Sequence, residues 1–441
     1  MNRQRALWTI VITLTATPWR ASAQDAPIRL TLDDAVARGL ATSQRLAELR
    51  ARQEGAEAAE AGRAAASMPV IALQGGYTRT SHVEEFAIAQ PGRGLEVIYP
   101  DVPDNFRTRI DLQWAIYTGG RTDALERAAR AEREATGDDL AAARGDLRLE
   151  IARAFWALVT ARDTEQVVTR SLDSLDAHVR DLQSRLDQGL IPPNEVLSAD
   201  AQRSRERVLA IEARNFRAIA EADLRRLLDI EGEPSLEPVV TLERAPVVEG
   251  STSALIAEAR ARRPERRALE RRADAFRERG AAAAGAGLPQ IGIDGGYDYA
   301  RPNPRIFPRI ADWRDSWDVS VNVSWLVWDG GRRRAELAEA AAGARAAEAR
   351  VSEFDRQAAF EVRQRRLEID SARAAIAAAS DGVRSATEAR RVVGERFQAG
   401  VATSTDLLDA EVAVLQAELD RTRALANVRL AEARLERAVG R

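Results

Sequence analysis

The chain has 441 residues, with 65 basic side chains, every one an arginine, against 68 acidic ones, for a net charge of −3. A balance so near neutral argues against an electrostatic nucleic-acid binder, which needs a basic excess on its surface. Cysteine is absent and the histidines are His82 and His178 alone, which excludes disulfides and thiolate chemistry and leaves a His-rich metal site or a Ser-His-Asp triad little to draw on. Length alone would allow about three domains. Apolar residues make up 45% and aromatics 5%, in alanine-, arginine- and glutamate-rich tracts that suggest long helices with slim seams.

The N-terminus reads as a secretory leader, residues 1–23. Arg3 and Arg5 precede the apolar run Ala6 to Thr17, and Ala21-Ser22-Ala23 supplies a small-x-small cleavage site. Cleavage there would start the mature chain at Gln24, which is not a cysteine and so excludes a cysteine-lipidated lipoprotein. No later stretch is apolar enough for a transmembrane helix.

From there the chain repeats itself. Pro69-Val70-Ile71-Ala72-Leu73-Gln74-Gly75-Gly76-Tyr77 returns as Pro289-Gln290-Ile291-Gly292-Ile293-Asp294-Gly295-Gly296-Tyr297. Tyr117-Thr118-Gly119-Gly120-Arg121 returns as Trp328-Asp329-Gly330-Gly331-Arg332, and Gly189 followed by Glu195 returns as Gly400 followed by Asp406. Arg121 to Gly189 and Arg332 to Gly400 are equally long, so these segments are register-locked. The two copies, about 31–229 and 251–441 with a linker over 230–250, make residues 24–441 a single domain of two structural repeats.

Each copy opens with a helical stretch, Thr31 to Ser67 and Ser253 to Ala286, ended by Pro69 or Pro289. A strand follows, then a proline-bearing loop, then a second strand with clean alternation. Ile110, Leu112, Trp114 and Ile116 share one face, against Arg109, Asp111 and Gln113. In the second copy Trp317, Val319, Val321, Val323 and Trp325 stand against Asp318, Ser320, Asn322 and Ser324. Period two with this contrast predicts a sheet apolar on one side and wet on the other. Gly-Gly-Arg then opens a very long helix in each copy, with Val168, Leu172, Leu175, Val179, Leu182, Leu186 and Leu190 stepping by three or four along a coiled-coil-like seam. Turns at Gly189-Leu190 and Gly400-Val401 reverse the chain into return helices from Asn194 to about Asp229 and from Ser404 to the C-terminus.

An apolar strand face packs on a core or faces lipid. Three features favour lipid here. The opposite face carries charges mid-strand, as a wet lumen would. Trp114, Trp313, Trp317, Trp325 and Trp328 cluster at the strands like interfacial aromatic girdles. An exported chain without a hydrophobic helix can span a bilayer only as a closed barrel. Four strands cannot close one, so several protomers are required, twelve strands for a trimer.

The whole duplicated order, from leader to return helix, resembles the TolC-type outer-membrane efflux proteins, the outer membrane factors of tripartite efflux and type I secretion systems. The resemblance implies a mostly α fold with a small β part: a homotrimer with one twelve-stranded barrel in outer-membrane lipid and a periplasmic α-helical tunnel. It also implies docking to a periplasmic adaptor and an inner-membrane transporter, and a passive exit duct rather than an enzyme. Asp406 and Asp409 resemble the family's paired entrance aspartates, which three copies would set as acidic rings, with Glu195 in the matching place of the first copy. Asp406 can instead simply cap its helix. The family's closing tyrosine and arginine are matched here by Phe397 and Ala402. Gly189, Leu190, Gly400 and Val401 would form the adaptor-docking tips. No cofactor, metal or nucleic-acid partner is expected. The alternative reading is a periplasmic coiled-coil scaffold or adaptor without a pore.

Overall fold

The structure, a computed structural model, describes residues 27–92, 94–239 and 250–441. The expected leader, residues 1–23, and residues 240–249 of the linker lie outside them. β1 (Ile28–Leu30) stands just ahead of the first copy, which contains α1 (Leu32–Thr42), α2 (Gln44–Ala65), β2 (Val70–Arg79), β3 (Phe86–Gln90), β4 (Gly94–Tyr99), β5 (Asp104–Tyr117), α3 (Arg121–Asp187) and α4 (Pro193–Leu227), and β6 (Leu236–Pro238) lies in the linker. The second contains α5 (Thr252–Arg262), α6 (Pro264–Gly285), β7 (Gln290–Arg301), β8 (Arg314–Ser324), α7 (Arg332–Gln398) and α8 (Ser404–Val439).

The opening helical stretch of each copy is two helices rather than one. Thr31 and Asp34 start α1 with a reciprocal capping box, Thr31 Oγ1 accepting from the Asp34 N–H at 3.2 Å and Asp34 Oδ2 from the Thr31 N–H at 3.3 Å. Ser43 then leaves the helical region (ψ 118°) and caps α2 by accepting from the Leu46 N–H. In the second copy Pro264 forces Arg263 out of the helical region (ψ 120°) and occupies the first turn of α6.

The strands form one antiparallel sheet in the order β2-β5-β7-β8. Its register sets Ile110 opposite Leu73 and Tyr297, and Val321 opposite Ile293. A bulge between Ala115 and Tyr117 shifts the β5–β7 pairing, so Tyr117 comes opposite Ile291. This corrects the expected face: alternation holds through Ile110, Leu112 and Trp114, then Ile116 is the extra residue and Tyr117 takes its place. Trp325 likewise stands just beyond the end of β8. The loop of the first copy holds the antiparallel hairpin β3–β4, and β1 pairs parallel with β6; neither pairing was expected.

The two long helices, α3 and α7, each run 67 residues, roughly 100 Å at 1.5 Å per residue. The chain divides into two compact units, each drawing on both copies. Among the described residues, one consists of 27–41, 151–239 and 379–426. Its core is the seam: Leu175, Val179 and Leu182 of α3 pack with Val196 and Ala199 of α4, Phe397 of α7 and Leu408 of α8. The other consists of the described residues of 42–150, 250–378 and 427–441 and holds the sheet. There Leu255 and Ala259 of α5, Val362 and Ile369 of α7, and Leu435 and Ala438 of α8 form a second cluster. Each large side chain so buried contributes about 1.5–3 kcal/mol.

In the sheet-bearing unit, the Gly-Gly corner after β5 meets the end of α6, the opening helix of the second copy, at a tight joint. Gly119 has φ +65°, and a Cβ there would strike the Gly285 carbonyl and the Leu288 side chain. Only glycine fits both the backbone and the space.

Candidate functional site

Two places carry the expected functional residues: the hairpin tips and the sheet. At the tips the glycine turns are duplicates. Gly189 (φ +72°) donates to the Leu186 carbonyl at 2.8 Å and Leu190 to the Arg185 carbonyl at 2.9 Å. Gly400 (φ +75°) donates to Phe397 at 3.0 Å and Val401 to Arg396 at 2.9 Å. Both are Schellman endings, which require the left-handed residue and satisfy the last helix carbonyls. Beyond them Leu190 is 68% exposed and Val401 64%, so neither apolar side chain is used inside the chain.

The return helices start differently. Proline occupies the first turn of α4, and its N-cap, Pro192, makes no side-chain cap bond. Glu195 is half-buried in that turn. α8 starts with a capping box: Thr403 donates its N–H to Asp406 Oδ2 at 2.8 Å and its hydroxyl at 2.7 Å, and Thr403 Oγ1 accepts from the Asp406 N–H at 3.2 Å. These bonds from Thr403 hold the Asp406 carboxyl below the usual carboxylate range. The capping reading of Asp406 is therefore realised, while its side chain, like that of Asp409, stays exposed.

His178 is part of this tip. Its Nε2 lies 3.2 Å from the hydroxyl of Ser404, itself buried, and its ring meets Phe397 edge-on at 5.6 Å. Burial pushes the imidazole pKa down, Asp181 opposes this and Arg185 adds to it. The Arg185 guanidinium lies 4.9 Å over the Phe397 ring while pairing with Asp181 at 2.9 Å. Phe397 thus anchors the tip by a cation–π contact and apolar packing. Sequence reasoning passed over His178; its spacing of one turn from Leu175 and Leu182, both buried, was the available signal.

On the sheet, one face is apolar and open. Ile110, Trp114 and Tyr117 are 41–47% exposed, and Trp317, Val319, Val321 and Val323 are 65–70% exposed. Leu112 is half-buried on the same face. The flanking tryptophans repeat one fastening: Trp114 Nε1 donates to the Ser67 carbonyl, and Trp325 Nε1 to the Gly287 carbonyl, both at 3.0 Å. Each ties the end of a second strand to the end of its copy's preceding helix.

The opposite face is an ion-pair lattice. Arg109 donates to Asp111 at 2.5 Å, to Asp318 at 3.2 Å and to Asp298, which is buried and also receives Arg107. Gly296 leaves the room that the Arg109 guanidinium occupies. Further along, Asn322 donates to Asp294 at 2.6 Å. Among the described residues, no group of three or more His, Asp and Glu side chains could hold a metal, and no helix is long and apolar enough to cross a membrane. His82 lies in an exposed loop against Asp101.

The family model for the outer membrane efflux protein matches residues 36–229 and 255–441. Outer membrane protein TolC of Vibrio cholerae serotype O1 is 24% identical over 345 residues, covering 77% of this chain and 78% of that protein. Among solved structures, the outer membrane protein VceC of Vibrio cholerae superposes with a TM-score of 0.76 at 20% identity, over 93% of this chain and 96% of that one. The open state of the Neisseria gonorrhoeae MtrE outer membrane channel gives 0.76 at 18% identity, over 93% and 88%.

Proposed function

The chain belongs to the outer membrane efflux protein family, and from that premise we propose that three copies close one twelve-stranded barrel and act as a passive exit duct. The single observation that carries this reading is the sheet's internal junction. β5, the last sheet strand of the first copy, pairs antiparallel with β7, the first of the second, while β8 and β2 each pair on one side only. A second chain continues the same junction from β8 to its own β2. Open edges are not viable in hydrocarbon, so closure and membrane insertion go together. Closure turns Ile110, Leu112, Trp114, Trp317, Val319, Val321, Val323 and Trp325 to lipid and the Arg109 lattice to a wet lumen, since that many charges facing lipid would be prohibitively costly.

At the hairpin tips, Asp406, Asp409 and Glu195 in three copies form acidic rings at the periplasmic entrance, and the exposed Leu190 and Val401 offer apolar tips to a periplasmic adaptor coupled to an inner-membrane transporter. Phe397 and Ala402 leave the shut state to apolar and cation–π packing. The pore-less scaffold has no use for a sheet that is apolar outside, wet inside and open at both edges.

The junction predicts its own register. Carrying the Ile110–Tyr297 pairing forward one copy sets Val321 opposite Tyr77 of the next chain. With no native cysteine, the double variant Val321→Cys, Tyr77→Cys is a clean probe, because directly opposed strand residues bring their Cβ atoms to about 4.5–5.5 Å. Oxidation should give covalent dimers and trimers on a denaturing gel. Monomer alone, from protein that is folded in membranes, would refute the closure.

A further inference from the structure

We propose that the polar face of the sheet carries, at the end away from its helices, a binding pocket for a small multivalent oxyanion, with Arg309 as the charge that recognises it. The proposal rests on the lumen reading above only for its access to solvent. The pocket is a concavity of about 340 Å³, within the range of small-molecule sites, whose lining includes Gln74, Gly76, Thr78, Asn105, Arg107 and Arg309. The register places Gln74, Gly76 and Thr78 opposite Arg109, Arg107 and Asn105, all on the wet side.

What singles out this place is charge balance. Arg107, Arg109 and Arg305 are matched to Asp111, Asp298 and Asp318, three cations against three anions. Arg309 is a fourth cation beside them. Its Nη1 donates to the Tyr99 hydroxyl at 2.8 Å and its Nη2 to Asn105 Oδ1 at 3.2 Å, both neutral acceptors, and its guanidinium lies 5.3 Å over the Tyr99 ring. Its Nε–H is buried with no acceptor. Among the described residues no carboxylate pairs with it. A guanidinium held among neutral groups, with no carboxylate to offset its charge, favours an incoming oxyanion at its pocket-facing side.

The arginine's loop is held in advance. Asn303, buried, donates to the Arg314 carbonyl and to the Ser316 hydroxyl, each at 3.0 Å, and accepts from the Arg305 N–H at 3.0 Å. Arg301 Nε adds a bond to the Ala311 carbonyl at 2.7 Å. A loop already fixed leaves little ordering entropy to be lost on binding. Phosphate and polycarboxylate groups share the recognisable chemistry, carried by a soluble solute in the lumen.

Titration calorimetry of the purified full chain in detergent with inorganic pyrophosphate tests this. We expect saturable binding that weakens as salt rises. Arg309→Gln should weaken it by at least about tenfold, the loss of one charge-assisted contact, with Arg309→Lys recovering part. Gly76→Gln keeps every charge but fills the pocket from β2, where nothing lies within 4 Å of an added Cβ, and should weaken binding equally. No saturable binding, or binding unchanged in both glutamine variants, overturns the proposal. Binding of dioctanoyl phosphatidate but not pyrophosphate also overturns it, by giving the pocket to a lipid headgroup. Calorimetry needs no pore. Protein that binds pyrophosphate but neither trimerises nor conducts would refute the duct and leave the pocket, and protein that conducts without binding would refute the pocket alone.

Discussion

The first copy of the duplicated unit and the second build the same 67-residue helix and the same glycine turn, yet they differ in what they leave uncovered. In α3, Ile151, Phe155, Trp156 and Leu158 are all buried. In α7 the position matching Trp156 is Leu367, 69% exposed, and Phe360 is 65% exposed. The sheet shows the same contrast, with β5 paired on both sides and β8 on one. So do the two Gly-Gly corners: Gly119 is pressed on Gly285, while a Cβ on Gly330 would meet nothing. At the sheet and the corner the first copy meets its successor in the same chain, β5 against β7 and Gly119 against Gly285, while the matching surfaces of the second copy, β8 and Gly330, are uncovered.

The largest effect expected from this contrast is at those corners. Gly119→Ala adds a backbone clash to an unfavourable φ and should cost about 3 kcal/mol, whereas Gly330→Ala should cost only the conformational part, about 1 kcal/mol. Thermal unfolding of both variants checks the difference. Equal losses in the assembled protein would mean that a neighbouring chain closes on Gly330 as α6 closes on Gly119, breaking the asymmetry at the level of the oligomer.

A smaller difference is expected at the return helices. Thr403→Ala removes the cap of α8 and should cost about 1 kcal/mol. Pro192→Ala, its counterpart, removes no cap bond and should cost less. The same melting measurement decides, and a larger loss at Pro192 would show that proline stiffness outweighs the capping box.

The smallest effect is a pH dependence confined to the tip. His178 has its pKa lowered by folding, so the unfolded chain takes up the proton first. Stability is full above the unfolded value of about 6.5 and declines as pH falls through it toward the lower folded value. His178→Gln should flatten melting temperature against pH over that window. A slope unchanged by the substitution would place the titration elsewhere.

The duplicated order, the four sheet strands, the long helices and the turns at Gly189 and Gly400 were all legible, because period and spacing are local and the repeat confirms each signal twice. The splits at Ser43 and Arg263 were missed although Ser43 and Pro264 are ordinary capping and start signals, because periodicity runs on across them. The β3–β4 hairpin hides in a proline-bearing stretch that reads as loop, although apolar residues alternate around Pro91-Gly92, a recognised turn dipeptide. The bulge at Ile116 was not legible, since it arises from pairing with β7 and not from β5 itself. The burial of His178 had a local signal, but its partners did not, nor did those of Arg309: nothing in their neighbouring residues says that Ser404 and Phe397, or Tyr99 and Asn105, will surround them. Long-range partners decide those environments.

The short parallel pair of β1 and β6 has a kinetic side. It joins residues 28–30 to residues 236–238, so it cannot form until the entire first copy has been delivered, and it needs nothing from the second. A ladder of three residues closed over so long a loop is a late and slow event, because the chain entropy must be lost before the pairing returns anything. For any chain delivered N-terminus first, the clasp can close only once the first copy is whole.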